Sequence, residues 1–299
     1  MSRLTLVHTL VSAMAVLGLG FMMLTPSAHA QDSAAKSGYA PVNGLELYYE
    51  IRGSGSPLIV LHGGLGGIVE FGPLLDLLAE NRQVIAVELQ GHGHTADIDR
   101  PLSYEVLAGD IAALIDYLGH DSADVLGFSM GGGVALQTAI QYPESVRRLV
   151  LISTPFQREG IHETFRSGMS AMSAESAAMM LETPMYQFYA SVAPRPEDWS
   201  TLVGKIGAMM STDYDWSAEV AAMTTPTLIF AGDSDMIPPS HASALFELLG
   251  GGVPGDFVGL PQSQLALLPG TSHFTILSRS DLLLPVLNPF LDAPLATTE

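Results

Sequence analysis

The stretch DVLGFSMGGGVALQTAI, residues 124–140, carries the decision about the fold. An apolar run of strand character ends at Phe128, Ser129 follows between Gly127 and Gly131, and a helix-like run begins at Met130. Small residues at such a point serve a tight turn, or they let a serine hydroxyl stand clear of the backbone. The second reading fits the context better, because strand, sharp turn and helix together make a nucleophile elbow. A helix starting at Met130 also aims its N-terminal amides at Ser129 and favours developing negative charge there.

Similar runs recur on both sides. LIVLHGG (58–64), QVIAVELQGHG (83–93), RRLVLISTP (147–155), PTLIFAGD (226–233) and LALLPGTSH (265–273) read as strands, most of them buried on both faces. LELYYEIRG (45–53) alternates in the manner of a strand. Amphipathic stretches at 104–119, 130–143 and 240–250 read as helices. A last helix starts near Ser278, with prolines expected to kink or shorten it. The alternation predicts an α/β fold with a mostly parallel central sheet and helices on both faces. Ligands in such sheets sit beyond the carboxyl ends of the strands.

One interval breaks the alternation. Residues 156–223 show short helical patterns and no strand, and they are rich in Met and aromatic side chains. We assign them to a small helical cap over the site, with residues 39–155 and 224–293 forming the core. Met179 and Met180 are its candidate substrate contacts, together with Leu65 and Phe274 from the core. The alternative is that the methionines pack only the insert's own interior.

The chain has 299 residues and a formal charge of −19. Residues 1–30 hold Arg3, an apolar run and the ending Ala28-His29-Ala30, the pattern of a signal peptide cleaved after Ala30. The expected product is exported, periplasmic or secreted, with 31–38 as a flexible leader. Removal of residues 1–30 leaves eleven basic against 31 acidic residues. Such a surface repels nucleic acid and anionic lipid, leaving a small molecule as the expected partner. With no cysteine, disulfides, thiolate metal sites and cysteine nucleophiles are excluded.

A serine nucleophile needs a base, and the base needs an orienting acid. His120, His162 and His241 lie in polar stretches expected to be exposed, while His62, His92 and His94 follow early strands. His273 follows the last strand and any candidate acid, so it is preferred. In GDSD, Asp235 lies far enough into the loop to reach His273, whereas Asp233 suits binding of the loop backbone. Oxyanion donors are expected from the amides of Met130 and Gly64, with Leu65 as the alternative to Gly64.

These pieces resemble the α/β-hydrolase fold superfamily, in its serine hydrolase branch with a helical cap between the sixth and seventh strands. LHGGLGG, GHGHT, GFSMGGG, GDSD and GTSHF occur in that family's order, over about residues 39–291. The resemblance implies Ser129, Asp235 and His273 as triad, the amides of Gly64 and Met130 as oxyanion hole, no metal and no organic cofactor. Two motifs depart from many relatives: in VELQGHGHT, Glu88 and Gln90 replace Asp and Arg, and the histidine sits in GTSHF. A serine at the elbow speaks against dehalogenases and soluble epoxide hydrolases. The expected activity is cleavage of carboxylic esters or lactones of small, largely apolar molecules through an acyl-enzyme. Amide or peptide hydrolysis, cofactor-free perhydrolysis and non-catalytic binding are the alternatives.

Overall fold

The computed structural model describes residues 35–294. The expected signal peptide and its cleavage site lie outside them. Among the described residues eight strands form one sheet: β1 (Lys36–Val42), β2 (Leu45–Arg52), β3 (Pro57–Leu61), β4 (Gln83–Val87), β5 (Ala123–Phe128), β6 (Val146–Ile152), β7 (Thr227–Gly232) and β8 (Gln264–Leu268). Their spatial order is β1-β2-β4-β3-β5-β6-β7-β8. β2 pairs antiparallel with β1 and β4, and the other pairings are parallel.

The helices are α1 (Leu74–Ala79), α2 (Tyr104–Tyr117), α3 (Met130–Gln141), α4 (Glu163–Met169), α5 (Pro184–Val192), α6 (Trp199–Ser211), α7 (Ser217–Ala222), α8 (Pro239–Leu248), α9 (Gly255–Val258) and α10 (Ser280–Asp292). The two-residue period of the strands divides their side chains between two apolar layers. Ile59, Leu61, Val125, Leu149 and Leu151 join Leu107 of α2, Val134 of α3 and Leu245 of α8. Leu58, Val60, Leu126, Val150 and Ile152 join Leu75 of α1 and Leu287 of α10 on the opposite side. Ser103 caps α2 by accepting from the Val106 amide, and Gly119 follows its end at φ 78°.

Two expectations are corrected. Residues 36–38 of the supposed leader belong to β1, where Lys36 pairs with Ile51 and Gly38 with Tyr49. KSGYAPV lacks an apolar run because it is an edge strand, which also explains why it tolerates Pro41. The last helix continues through Pro285 and Pro289 over thirteen residues, so the prolines do not shorten it.

Between β6 and β7 the chain leaves the sheet and forms α4 to α7 with intervening 3-10 turns. Thr183 caps α5 by accepting from the Tyr186 amide. Lys205 of α6 fastens this insert to the core: its ammonium donates to Asp97 Oδ2 at 2.6 Å and to the carbonyls of Ile98 and Arg100 at 2.7 and 2.8 Å.

Candidate active site

The elbow needs glycine for steric reasons that the geometry makes explicit. A Cβ on Gly127 would lie 2.2 Å from the Gly131 carbonyl oxygen, and one on Gly131 would lie 2.4 Å from the Leu61 and His62 oxygens. With both absent, α3 packs directly over β3 and β5. Ser129 is left at φ 53°, ψ −117°, a strained conformation for a residue with a side chain. Its amide donates to the Ile152 carbonyl at 2.9 Å, which fixes the turn to β6.

Three side chains far apart in sequence meet here. The Ser129 hydroxyl lies 3.0 Å from His273 Nε2, and His273 Nδ1 lies 2.8 Å from Asp235 Oδ1. Ionised Asp235 only accepts, so Nδ1 carries the proton and Nε2 is left to accept from the hydroxyl. Burial pushes the Asp235 carboxyl up. The His273 ring, the Ser153 hydroxyl and the Ile237 amide outweigh burial and hold it below its ordinary value. Asp233 does what its position suggests, accepting from the amides of Gly270 and Thr271 at 2.9 and 3.1 Å.

The loop after β3 is held from several sides. His62 Nε2 accepts from the Leu89 amide, which leaves Nδ1–H to donate to the Gly63 carbonyl at 2.7 Å. His92 Nε2 accepts from the Leu65 amide at 3.2 Å, so the alternative oxyanion donor is already engaged. Glu70 accepts from the Gly63 amide at 2.9 Å. Burial raises its carboxyl to about 7 against the lowering effect of that amide. Gly64, between these fixed points, lines the pocket at Ser129. Glu88 and Gln90 prop the neighbouring loop. Glu88 accepts from the His94 amide and ring at 2.6 and 2.8 Å, and Gln90 donates to Asp97 at 2.7 Å.

His241, expected on the surface, is buried: it stacks on Phe156 at 4.1 Å and its Nε2 accepts from the Phe156 amide. His120 is half-buried, while His162 is exposed.

A pocket opens above Ser129 and His273, with a volume of about 80 Å³. From the insert come Phe165, Met169, Met172, Met185, Ile206 and Met210; from the core come Gly64, Leu65, Met236 and Phe274. Met179 and Met180 do not line it, which corrects their assignment. They end a 3-10 turn (Glu175–Met180), and Met180 is buried in the cluster that holds Tyr189 and Trp199. The methionines therefore divide between pocket and interior. Met236, adjacent to Asp235 in sequence, and Glu70 were not singled out from sequence.

The family model described as alpha/beta hydrolase fold matches residues 56–280. A protein of Azorhizobium caulinodans named "Putative carbamate hydrolase RutD" is 27% identical over 252 residues, covering 79% of this chain and 91% of its own. The enol-lactonase of Burkholderia xenovorans superposes with a TM-score of 0.64 at 22% identity, covering 85% of this chain and all of that one. A serine hydrolase involved in carbazole degradation (CarC) gives 0.67 at 20% identity, covering 86% and 99%. At such identities the superpositions speak for the fold alone. With the family model spanning most of the described residues, this chain belongs to the α/β-hydrolase fold family.

Proposed function

We propose that the protein is a serine hydrolase that cleaves carboxylic esters or lactones with small, uncharged acyl groups through an acyl-enzyme. The observation that carries this reading is the hydrogen-bonded line from Ser129 through His273 to Asp235, set at the floor of a pocket without a charged lining side chain. In this mechanism Ser129 Oγ attacks the carbonyl carbon while His273 Nε2 takes its proton, and Asp235 stabilises the imidazolium. The amides of Gly64 and Met130 receive the oxyanion. Each such donor typically contributes about 3–4 kcal/mol in the transition state. His273 then protonates the leaving oxygen, and water, activated by the same ring, releases the acid.

Labelling by a fluorophosphonate, lost in Ser129→Ala, tests the nucleophile. Rates on p-nitrophenyl esters of graded length, lactones, aryl amides and hydrogen peroxide with acetate then separate the ester reading from amidase and perhydrolase activity. Esters should be turned over fastest. A faster aryl amide would replace this reading.

The pocket also predicts chain-length preference. A void needs only about 10–15 Å³ to hold one water, so this volume suits a short acyl chain. Met172→Ala and Met185→Ala should move the kcat/KM optimum toward longer chains, at up to about 0.8 kcal/mol per additional buried CH₂. Met179→Ala, outside the pocket, should leave the optimum in place. An optimum that moves only with Met179 would show that the acyl group lies elsewhere.

A further inference from the structure

At the opposite end of the sheet the residues that open or precede the parallel strands gather around a second cavity, of about 390 Å³. Ser56 precedes β3, Arg82 precedes β4, Asp124 lies at the start of β5, and Arg147 and Arg148 lie at the start of β6. Asp292, the last residue of α10, closes one side. The run from Asp124 to Ser129 spans the sheet, so this cavity lies roughly 16 Å from the nucleophile at about 3.3 Å per residue.

Its chemistry is unlike the rest of the molecule. Three of the twelve basic residues of an acidic chain face one another here. Arg82 is 2% exposed and Arg148 is 4% exposed, so two of the cations are withdrawn from solvent. Two carboxylates share the cavity, leaving a net positive charge. Asp124 takes a two-pronged bond from Arg147. Asp292 accepts from Arg82 at 2.6 Å, and Asn288 accepts from the same guanidinium at 2.8 Å. Among the described residues, Arg148 donates to the Ala293 carbonyl.

Three guanidinium groups carry about fifteen N–H donors, and these contacts engage few of them. None of their nitrogens is among the buried polar atoms that lack a partner in the described residues. Each of these nitrogens therefore has a partner or is accessible to solvent, and all three arginines line the cavity. A planar fork of donors in a partly dry, net positive recess matches the oxygens of a carboxylate or phosphate group.

We propose that this cavity binds a small oxyanion, a phosphate or carboxylate group, on Arg147 and Arg148. The bound anion adds negative charge beside Arg148, which makes no ion pair among the described residues. It also ties the end of α10 to the strand starts, because Arg148 already reaches Ala293 and Arg82 reaches Asp292. Occupancy is thus linked to stability rather than to turnover at Ser129.

The test is thermal unfolding of the folded protein, titrated with inorganic phosphate in one arm and acetate in another, against sodium chloride at matched ionic strength. A saturable rise in Tm of about 2–4 °C is expected in at least one anion arm, and the stronger arm identifies the group. The rise should disappear in Arg148→Gln and shrink in Arg147→Gln, both with p-nitrophenyl ester hydrolysis unchanged. If Arg148→Gln does not fold, Arg147→Gln decides, since its side chain is 23% exposed and its loss leaves Arg148 in place. An equal rise with chloride, or a rise that both variants retain, would overturn the proposal.

Discussion

His273→Ala is expected to lower kcat by about 10⁴–10⁶-fold on a p-nitrophenyl ester, with the melting temperature little changed. Removing the base leaves the serine a weak nucleophile, while the oxyanion donors and the pocket retain a residual acceleration. Asp235→Asn should cost about 10³–10⁴-fold, because the amide no longer fixes the ring tautomer or stabilises the imidazolium. Asp233→Asn should act on stability and leave kcat near that of the parent, since its carboxylate holds the 270–271 amides and makes no contact with His273 among the described hydrogen bonds. Stopped-flow and steady-state rates with circular dichroism on the same samples check all three. If Asp233→Asn proves the slow variant, the acid has been placed on the wrong residue of GDSD.

Acidification should begin to destabilise the protein below about pH 6.5, before ordinary carboxylates take up protons, and unfold it at about pH 4–5. Burial holds His62 down at about 3, helped by repulsion from His92, and burial holds His92 and His241 at about 4. In the unfolded chain each returns to about 6.5. Above that value neither state is protonated and the histidines do not affect stability. As pH falls from 6.5 toward 4 the unfolded chain takes up protons that the fold refuses, and stability is lost. Three such groups cost up to about 4 kcal/mol per pH unit, against a total stability of about 5–15 kcal/mol. Glu70 works the other way. Raised to about 7, it takes up its proton in the fold before it would in the unfolded chain, which offsets one of the three. His241→Gln should therefore move the acid midpoint down, whereas Glu70→Gln, which resembles the protonated carboxyl at every pH, should raise stability near pH 8 and leave the acid midpoint nearly in place, read from Trp199 and Trp216 fluorescence. Stability that stays flat between pH 7 and 4.5 would contradict the first of these.

What the sequence revealed follows from how local each constraint is. GFSMGGG is legible because the collisions that demand glycine at 127 and 131 arise where α3 turns back over β3 and β5. Asp235 and His273 are legible because each follows a strand at the same sheet edge, where loops converge. Partners remote in sequence leave no such mark. His241 meets Phe156 across 85 positions, so its polar neighbours suggested exposure instead. Met179 and Met180 sit on a 3-10 turn, while Met172 lies in the connection before it and Met185 on α5, and composition does not fix which of these face the pocket. β1 is legible only through its partner, because an edge strand needs little apolar pattern of its own.

The insert over the site leaves the sheet after β6 and rejoins it at β7, and those two strands are bonded neighbours, with Leu149 opposite Thr227 and Ile152 opposite Phe230. Its two ends are therefore held at a fixed separation by the sheet, one at the carboxyl end of β6 and the other at the amino end of the parallel β7, whatever lies between them. Closing a loop across fixed ends grows only logarithmically in cost, about 0.6 kcal/mol for each doubling of length. Descendants of this chain can lengthen, shorten or exchange the segment at small thermodynamic penalty, while the reacting groups stay anchored below. The choice of molecule and the chemistry done on it are thus free to evolve at different speeds.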